Sequence, residues 1–161
     1  MAEQHSTLDD MRPGGKVDYS VRILTLIVVT PEATVRETHA EFVVLPLYDG
    51  EIGIAPGHSD MIGRLGFGEM RVTEGNKTDH YYVDGGFVQV SGNVVSVLTN
   101  RAVPASQVDP EVAAQQLEAA RHRPTNTPEL EALRERAQLQ ARAQLRVANK
   151  TRGHKTTTAS H

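Results

Sequence analysis

The residue types best suited to chemistry gather in one glycine-rich stretch, residues 49–59, with the sequence Asp-Gly-Glu-Ile-Gly-Ile-Ala-Pro-Gly-His-Ser. Glu51 supplies a carboxylate and His58 an imidazole, the groups that general acid–base catalysis uses most. His58, Ser59 and Asp60 are also the three types of a hydrolytic triad. A triad needs its groups to converge, whereas consecutive residues of an extended chain point apart, and no Gly-x-Ser-x-Gly elbow is present. The trio is therefore not read as catalytic. His39, His58 and His80, with Asp60, Asp79 or Asp84, are metal-ligating types, but no pair has a recognised ligand spacing, and surface or hydrogen-bonded histidines are expected. Gly63-x-x-Gly66-x-Gly68 has the glycines of a phosphate loop without its Lys-Ser/Thr and without a following helix, and reads as turns. The chain is expected to hold no catalytic residue, metal or cofactor.

What positions Glu51 and His58 is a shaped corner. Gly50, Gly53 and Gly57 allow unusual dihedrals or close backbone approach, Pro56 stiffens the exit, and Ile52, Ile54 and Ala55 anchor the segment in apolar surroundings. The rest of the chain bounds the function class. It has 161 residues with 39% hydrophobic residues, no Trp and no Cys, so an aliphatic core without disulfides or thiolate metal sites is expected. A net charge of −3 argues against a general electrostatic grip on nucleic acid. The longest apolar run, residues 23–29, is too short to cross a bilayer, and the first 19 residues hold no apolar signal core, so a soluble chain is expected.

Composition divides the chain into a flexible arm over residues 1–17, a Val/Ile/Thr/Gly-rich β domain over 18–105, an Ala/Gln/Glu-rich helical hairpin over 106–150 and a disordered polar tail over 151–161. In the β part, residues 21–29 read as a strand apolar on both faces, and residues 33–47 as one extended return. Glu74-Gly75-Asn76-Lys77, Asp84-Gly85-Gly86 and Gly92-Asn93 read as turns, the last two as hairpin signals. Short strands with glycine turns indicate a β-sandwich or barrel.

Asp109 before Pro110 marks a helix start, and Ala113, Leu117 and Ala120 share one face of that helix. The segment Pro124-Thr-Asn-Thr-Pro128 breaks it, and Thr127 caps a second helix whose stripe is Leu130, Leu133, Ala137, Ala141, Leu145 and Ala148. Together they form an antiparallel hairpin. Alanine-rich stripes gain little from burial, so the hairpin depends on docking and is a candidate moving part. Arg142, Arg146 and Lys150, four residues apart, form either a solvated face or a docking strip for an acidic partner.

The string Asp-Gly-Glu-Ile-Gly-Ile-x-Pro-Gly-His at 49–58, Asp-Gly-Gly-Phe-Val-Gln-Val at 84–90, Asn-Val-Val-Ser-Val-Leu-Thr at 93–99 and Ala-Gln-Leu-Arg-Val at 143–147 resemble the ε subunits of bacterial and chloroplast F-type ATP synthases, equivalent to mitochondrial δ. The resemblance covers about residues 19–150. It implies an N-terminal β-sandwich followed by a two-helix hairpin, and a non-catalytic rotor subunit of a proton-translocating complex, peripheral to the membrane on its cytoplasmic side. The implied partners are the γ subunit, the c-ring and the α/β catalytic head. Glu51, Ile52, Gly53, Pro56 and His58 would lie in the loop region contacting c-ring or γ. The hairpin would lie folded on the sandwich or extend along γ to block hydrolysis, with Arg142, Arg146 and Lys150 facing an acidic β-subunit segment.

One departure stands out. Some members bind ATP through Ile/Leu-Asp-x-x-Arg-Ala, and here the segment is Val108-Asp-Pro-Glu-Val112-Ala. Val112 replaces the arginine that would pair with phosphate, so no strong nucleotide binding is expected. The alternative to a rotor subunit is a free-standing β-sandwich binding module with a helical tail.

Overall fold

The structure, a computed structural model, describes residues 23–158, with side chains over 23–153. The arm expected over 1–17 lies outside the described residues. Eight strands come first: β1 (Leu24–Val29), β2 (Thr34–Ala40), β3 (Phe42–Leu47), β4 (Gly50–Ile54), β5 (Met61–Glu74), β6 (Lys77–Ser91), β7 (Val94–Leu98) and β8 (Ala102–Pro104). A 3-10 turn (Ala105–Gln107) leads to α1 (Pro110–Arg121) and α2 (Pro128–Thr158). The strands pair in the order β2-β1-β7-β6-β5-β3-β4, with β8 beside β6. Only β1 and β7 run parallel. The architecture is a β-sandwich followed by two helices, as the sequence predicts.

The long strands β5 and β6 carry the chain between the two layers. The layers close around Leu24, Leu26, Val28, Val43, Leu45, Ile54, Met70, Val72, Val88, Val90, Val95 and Val97, all at most 1% exposed. Arg36 of β2 ties the open end shut. Its guanidinium reaches Glu74 at 2.6 Å, Asp79 at 2.8 Å and the Tyr81 hydroxyl, joining the β2 edge to the β5–β6 hairpin. Burial works against the Arg36 charge, but these partners outweigh it and push its pKa further up.

Four expectations are corrected. Residues 33–47 form two strands, because the chain turns at Glu41. The Glu41 amide donates to Thr73 O at 2.8 Å and its carboxylate accepts from the Gly75 amide at 3.2 Å, so β2 pairs with β1 while β3 joins β4 and β5. Gly63, Gly66 and Gly68 lie inside β5 rather than in turns. They give β3 room to cross: a Cβ at Gly66 would sit 2.7 Å from Leu47 O, and one at Gly68 3.0 Å from the Pro46 ring. Asp84-Gly85-Gly86 is no hairpin but a bend within β6. Before it the strand pairs with β8, and after it with β7. Finally, α2 continues to Thr158, past the Lys150 at which the sequence pattern ends it.

The caps and faces of the helices follow the sequence closely. Asp109 Oδ1 accepts from the Glu111 amide at 2.9 Å, and Thr127 Oγ1 from the Leu130 amide at 3.2 Å. Ala113, Leu117 and Ala120 are the buried residues of α1.

The bend at Gly86 is the most demanding backbone position. Its φ is +106°, and an added Cβ would meet Leu98 O at 1.9 Å. Gly86→Ala is expected to cost about 3 kcal/mol or more, because neither the dihedral nor the contact relaxes cheaply. Urea denaturation of the purified chain measures this, and Gly92→Ala, whose Cβ meets nothing within 4 Å, is the milder control.

Candidate functional site

The stretch at 49–59 is half strand and half turn. Residues 50–54 form β4 against β3, so the corner expected over 49–59 is confined to the turn after Ile54. Gly53 lies opposite Val44, and a Cβ there would approach the Phe42 ring to 2.6 Å. Ile52 packs on the core and Ile54 is buried within it. Glu51 faces outward, its carboxylate 3.3 Å from Arg71 Nη2.

The turn after β4 is pinned from outside. Gly57, with φ +83°, donates its amide to Asn93 Oδ1 at 2.8 Å, and Asp60 Oδ1 accepts from the Gly92 amide at 3.1 Å. Pro56 and His58 therefore stand beside the β6–β7 hairpin. His58 Nδ1 donates to Ser59 O at 2.8 Å and its amide to Ala55 O at 3.1 Å, so its bonds serve its own turn. Asp60 points to Gly92 and not to His58, and the three adjacent residues form no relay. No group of three or more metal-ligating side chains occurs among the described residues.

The second half of the site is the seat of α2 on the sandwich. The bend in β6 presents Asp84, 9% exposed. Gln140 Nε2 donates to both of its oxygens, at 2.8 and 2.9 Å, and the Tyr82 hydroxyl donates to Oδ1 at 3.0 Å. Gln144, on the same helix, is buried at 6% exposure. Burial and then the Asp84 charge push the Tyr82 pKa far up, so it remains a neutral donor. Around these bonds Ala143 and Val147 pack on Tyr82 and Ala105, flanked by Phe67, Val103 and Val108. Arg136 stacks over the Phe67 ring at 5.7 Å.

Beside this seat runs an open cleft of about 830 Å³ between α2 and β3–β5, lined by Glu51, Arg64, Glu69, Arg136, Arg146 and Lys150 among others. The basic strip fans out across it. Lys150 Nζ donates to Glu69 Oε1 at 3.0 Å, Arg146 lines the cleft, and Arg142 lies outside its lining with Nη2 on Gln138 at 3.4 Å. Glu69 also accepts from Arg71 at 3.1 Å and faces His80 Nδ1 at 3.3 Å. Burial works against the Glu69 carboxylate, but the Lys150 and Arg71 hydrogen bonds outweigh it and hold its pKa below the ordinary value. At the head of α1, Val112 is 46% exposed, and the Asp109 carboxylate is engaged in capping.

Sequence reading missed Asp84, Tyr82, Gln140, Gln144 and Glu69. The available signal was a carboxylate inside the apolar run Tyr-Tyr-Val-Asp, which the following glycines made look like a turn.

Residues 23–105 match the family described as ATP synthase, Delta/Epsilon chain, beta-sandwich domain. An ATP synthase epsilon chain of Rhodopirellula baltica is 44% identical over 122 residues, 76% of this chain and 95% of that one. One of Carboxydothermus hydrogenoformans is 45% identical over 100 residues, 62% of this chain and 75% of that one. Among solved structures, a chain of the Euglena gracilis mitochondrial ATP synthase, solved as OSCP/F1/c-ring, superposes with a TM-score of 0.69 at 25% identity, covering 81% of this chain and 82% of that chain.

The seat depends on Asp84 being satisfied from α2. Gln140→Ala removes the donor to both oxygens and is expected to weaken docking by about 2 kcal/mol, while the sandwich keeps its own melting transition. Hydrogen exchange tests it: amides of α2 should lose protection and those of β1, β5 and β7 should not.

Proposed function

The chain belongs to the ATP synthase delta/epsilon family as a non-catalytic central-stalk subunit, and we propose that it couples the γ subunit to the c-ring and restrains ATP hydrolysis through its helical hairpin. The two tasks ask for opposite mechanical properties. Coupling needs a module that does not deform, and the closely packed aliphatic sandwich meets that need. Restraint needs an element with two packings of similar free energy.

The observation that carries the regulatory reading is how little holds α2 to the sandwich. From the helix, Ala143 and Val147 supply the apolar contact, about 2–3 kcal/mol by area. The Gln140 bonds to a carboxylate add about the same, and Arg136 over the Phe67 ring and Lys150 on Glu69 add about 1 kcal/mol or less each. Against this stands a helix of 31 residues, about 46 Å long, much of it free to contact another protein. Leu133 and Leu139 are 54% and 49% exposed, an apolar surface that a second seat would cover.

In this reading Glu51, Ile52, Gly53, Pro56 and His58 face c-ring or γ, with His58 holding the turn. Arg142, Arg146 and Lys150 meet an acidic surface of the catalytic head when the hairpin extends. No helix among the described residues is long and apolar enough to cross a membrane, and attachment to the membrane comes through the complex.

Reconstitution with γ and the catalytic head tests the proposal. Deleting residues 109–161 is expected to preserve γ binding and raise ATP hydrolysis. Arg146→Ala should raise it in the same direction, by up to about fivefold for one exposed charge pair. A chain that fails to bind γ, or a truncation that leaves hydrolysis unchanged, would sink the corresponding half.

A second expectation concerns ATP itself. Val112 offers no cation, and Asp109 is already engaged in the helix cap, so phosphate meets no charge-assisted partner at that motif. Equilibrium dialysis of the isolated chain at millimolar ATP should give no saturable binding. Saturation there would overturn the expectation.

A further inference from the structure

We propose that Glu69 of β5 is an anionic latch for the hairpin, holding Lys150 of α2 in competition with the acidic partner surface that the same lysine meets when the hairpin extends. The proposal rests on the reading that the hairpin restrains hydrolysis, and it adds an element on the sandwich that sets how readily the hairpin opens.

Geometry carries it. Lys150 Nζ reaches Glu69 Oε1 at 3.0 Å, across 81 positions of sequence, joining the distal half of α2 to the sandwich. The pair lies 10 residues beyond Gln140, or about 15 Å along the helix. It therefore acts on the hairpin at a distance from the Asp84 seat. The two partners differ in burial: the Glu69 side chain is 9% exposed and the Lys150 side chain 61%. The acid is thus a fixed socket and the lysine a removable plug.

The socket is built to be left. Arg71 Nη1 donates to the same Oε1 at 3.1 Å, and His80 Nδ1 stands 3.3 Å from Oε2. When Lys150 departs, Glu69 keeps a cationic partner and is not stranded as a lone buried charge, which would otherwise make opening prohibitive. Hydrogen bonds from Lys150 and Arg71 also keep the carboxylate ionised at neutral pH. Glu69 is fixed on β5, so Lys150 reaches it only while α2 lies on the sandwich and loses it when the hairpin extends. Every Lys150 held by Glu69 is withheld from the partner, so Glu69 favours the folded, permissive arrangement.

The test uses the complex reassembled with γ and the catalytic head. The chain has no cysteine, so spin labels at Asn76→Cys and Asn149→Cys, both exposed positions, can be attached before assembly. Glu69→Gln is expected to shift the folded-to-extended ratio about fivefold towards extended, the scale of one partly exposed ion pair, and to lower ATP hydrolysis. Lys150→Gln loses latch and partner contact together, and should not deepen inhibition. An unchanged distance distribution in Glu69→Gln overturns the latch. Removing residues 109–161 separates the two ideas: if that fails to raise hydrolysis while Glu69→Gln still moves the labels, the latch stands and the inhibitory reading falls.

Discussion

The structure turns on one buried carboxylate. Asp84 sits where β6 bends between its two pairing partners, at a point that Gly85 and Gly86 make geometrically possible and that almost no solvent reaches. A charge so placed is tolerable only with donors. The sandwich supplies the Tyr82 hydroxyl; the other donor, to both oxygens, comes from Gln140 of α2. The fold of the first domain therefore creates a demand that the second meets. If α2 lifts away, Asp84 loses Gln140 but also loses its cover, and water replaces the amide. The same group that orients the seat makes leaving it affordable.

This explains how one chain holds a rigid part and a loose part without conflict. The rigidity of the sandwich comes from many large aliphatic side chains enclosed between layers and from the Arg36 cluster closing its open end. The hairpin has almost no such material at its seat. Its contacts are small side chains, one amide, one cation over a ring and one ion pair. Each is worth about 1–3 kcal/mol or less, and none is shared with the sandwich core. The opening proposed for the hairpin would therefore leave the core untouched.

Where sequence alone succeeded, the controlling physics was local. The caps at Asp109 and Thr127 and the buried face Ala113, Leu117 and Ala120 depend on residues within a turn or two of each other. The Gly92-Asn93 hairpin is local in the same way, with φ of 54° and 63° at its two positions. Where sequence failed, distant residues decided. Gly85-Gly86 has the chemistry of a hairpin, but β7 and β8 hold it within one strand. The β5 glycines look like loop residues and instead make space for Pro46 and Leu47. The α2 seat was invisible because Gln140 and Asp84 are 56 residues apart, and a glutamine on a polar helix gives no sign of being a ligand. The stripe from Leu130 to Ala148 did not include Ala143 and Val147, which make the face on the sandwich and whose alanine is too small to register in a periodicity.

The charges link the two candidate contact regions more closely than either suggests alone. Glu51, Arg71, Glu69 and Lys150 follow one another at 3.3, 3.1 and 3.0 Å, an unbroken line from β4 to the distal half of α2. Arg71 divides its guanidinium between the two acids. Anything that draws Glu51 away leaves Arg71 wholly to Glu69, which then holds Lys150 less strongly because its charge is better neutralised. Anything that presses Glu51 closer has the opposite effect. The line is exposed at both ends and screened by salt, which bounds its effect at about 1 kcal/mol. For the hairpin as proposed, with two packings of similar free energy, that is a severalfold change in population. A contact on β4 and the position of the hairpin thus meet at a single arginine.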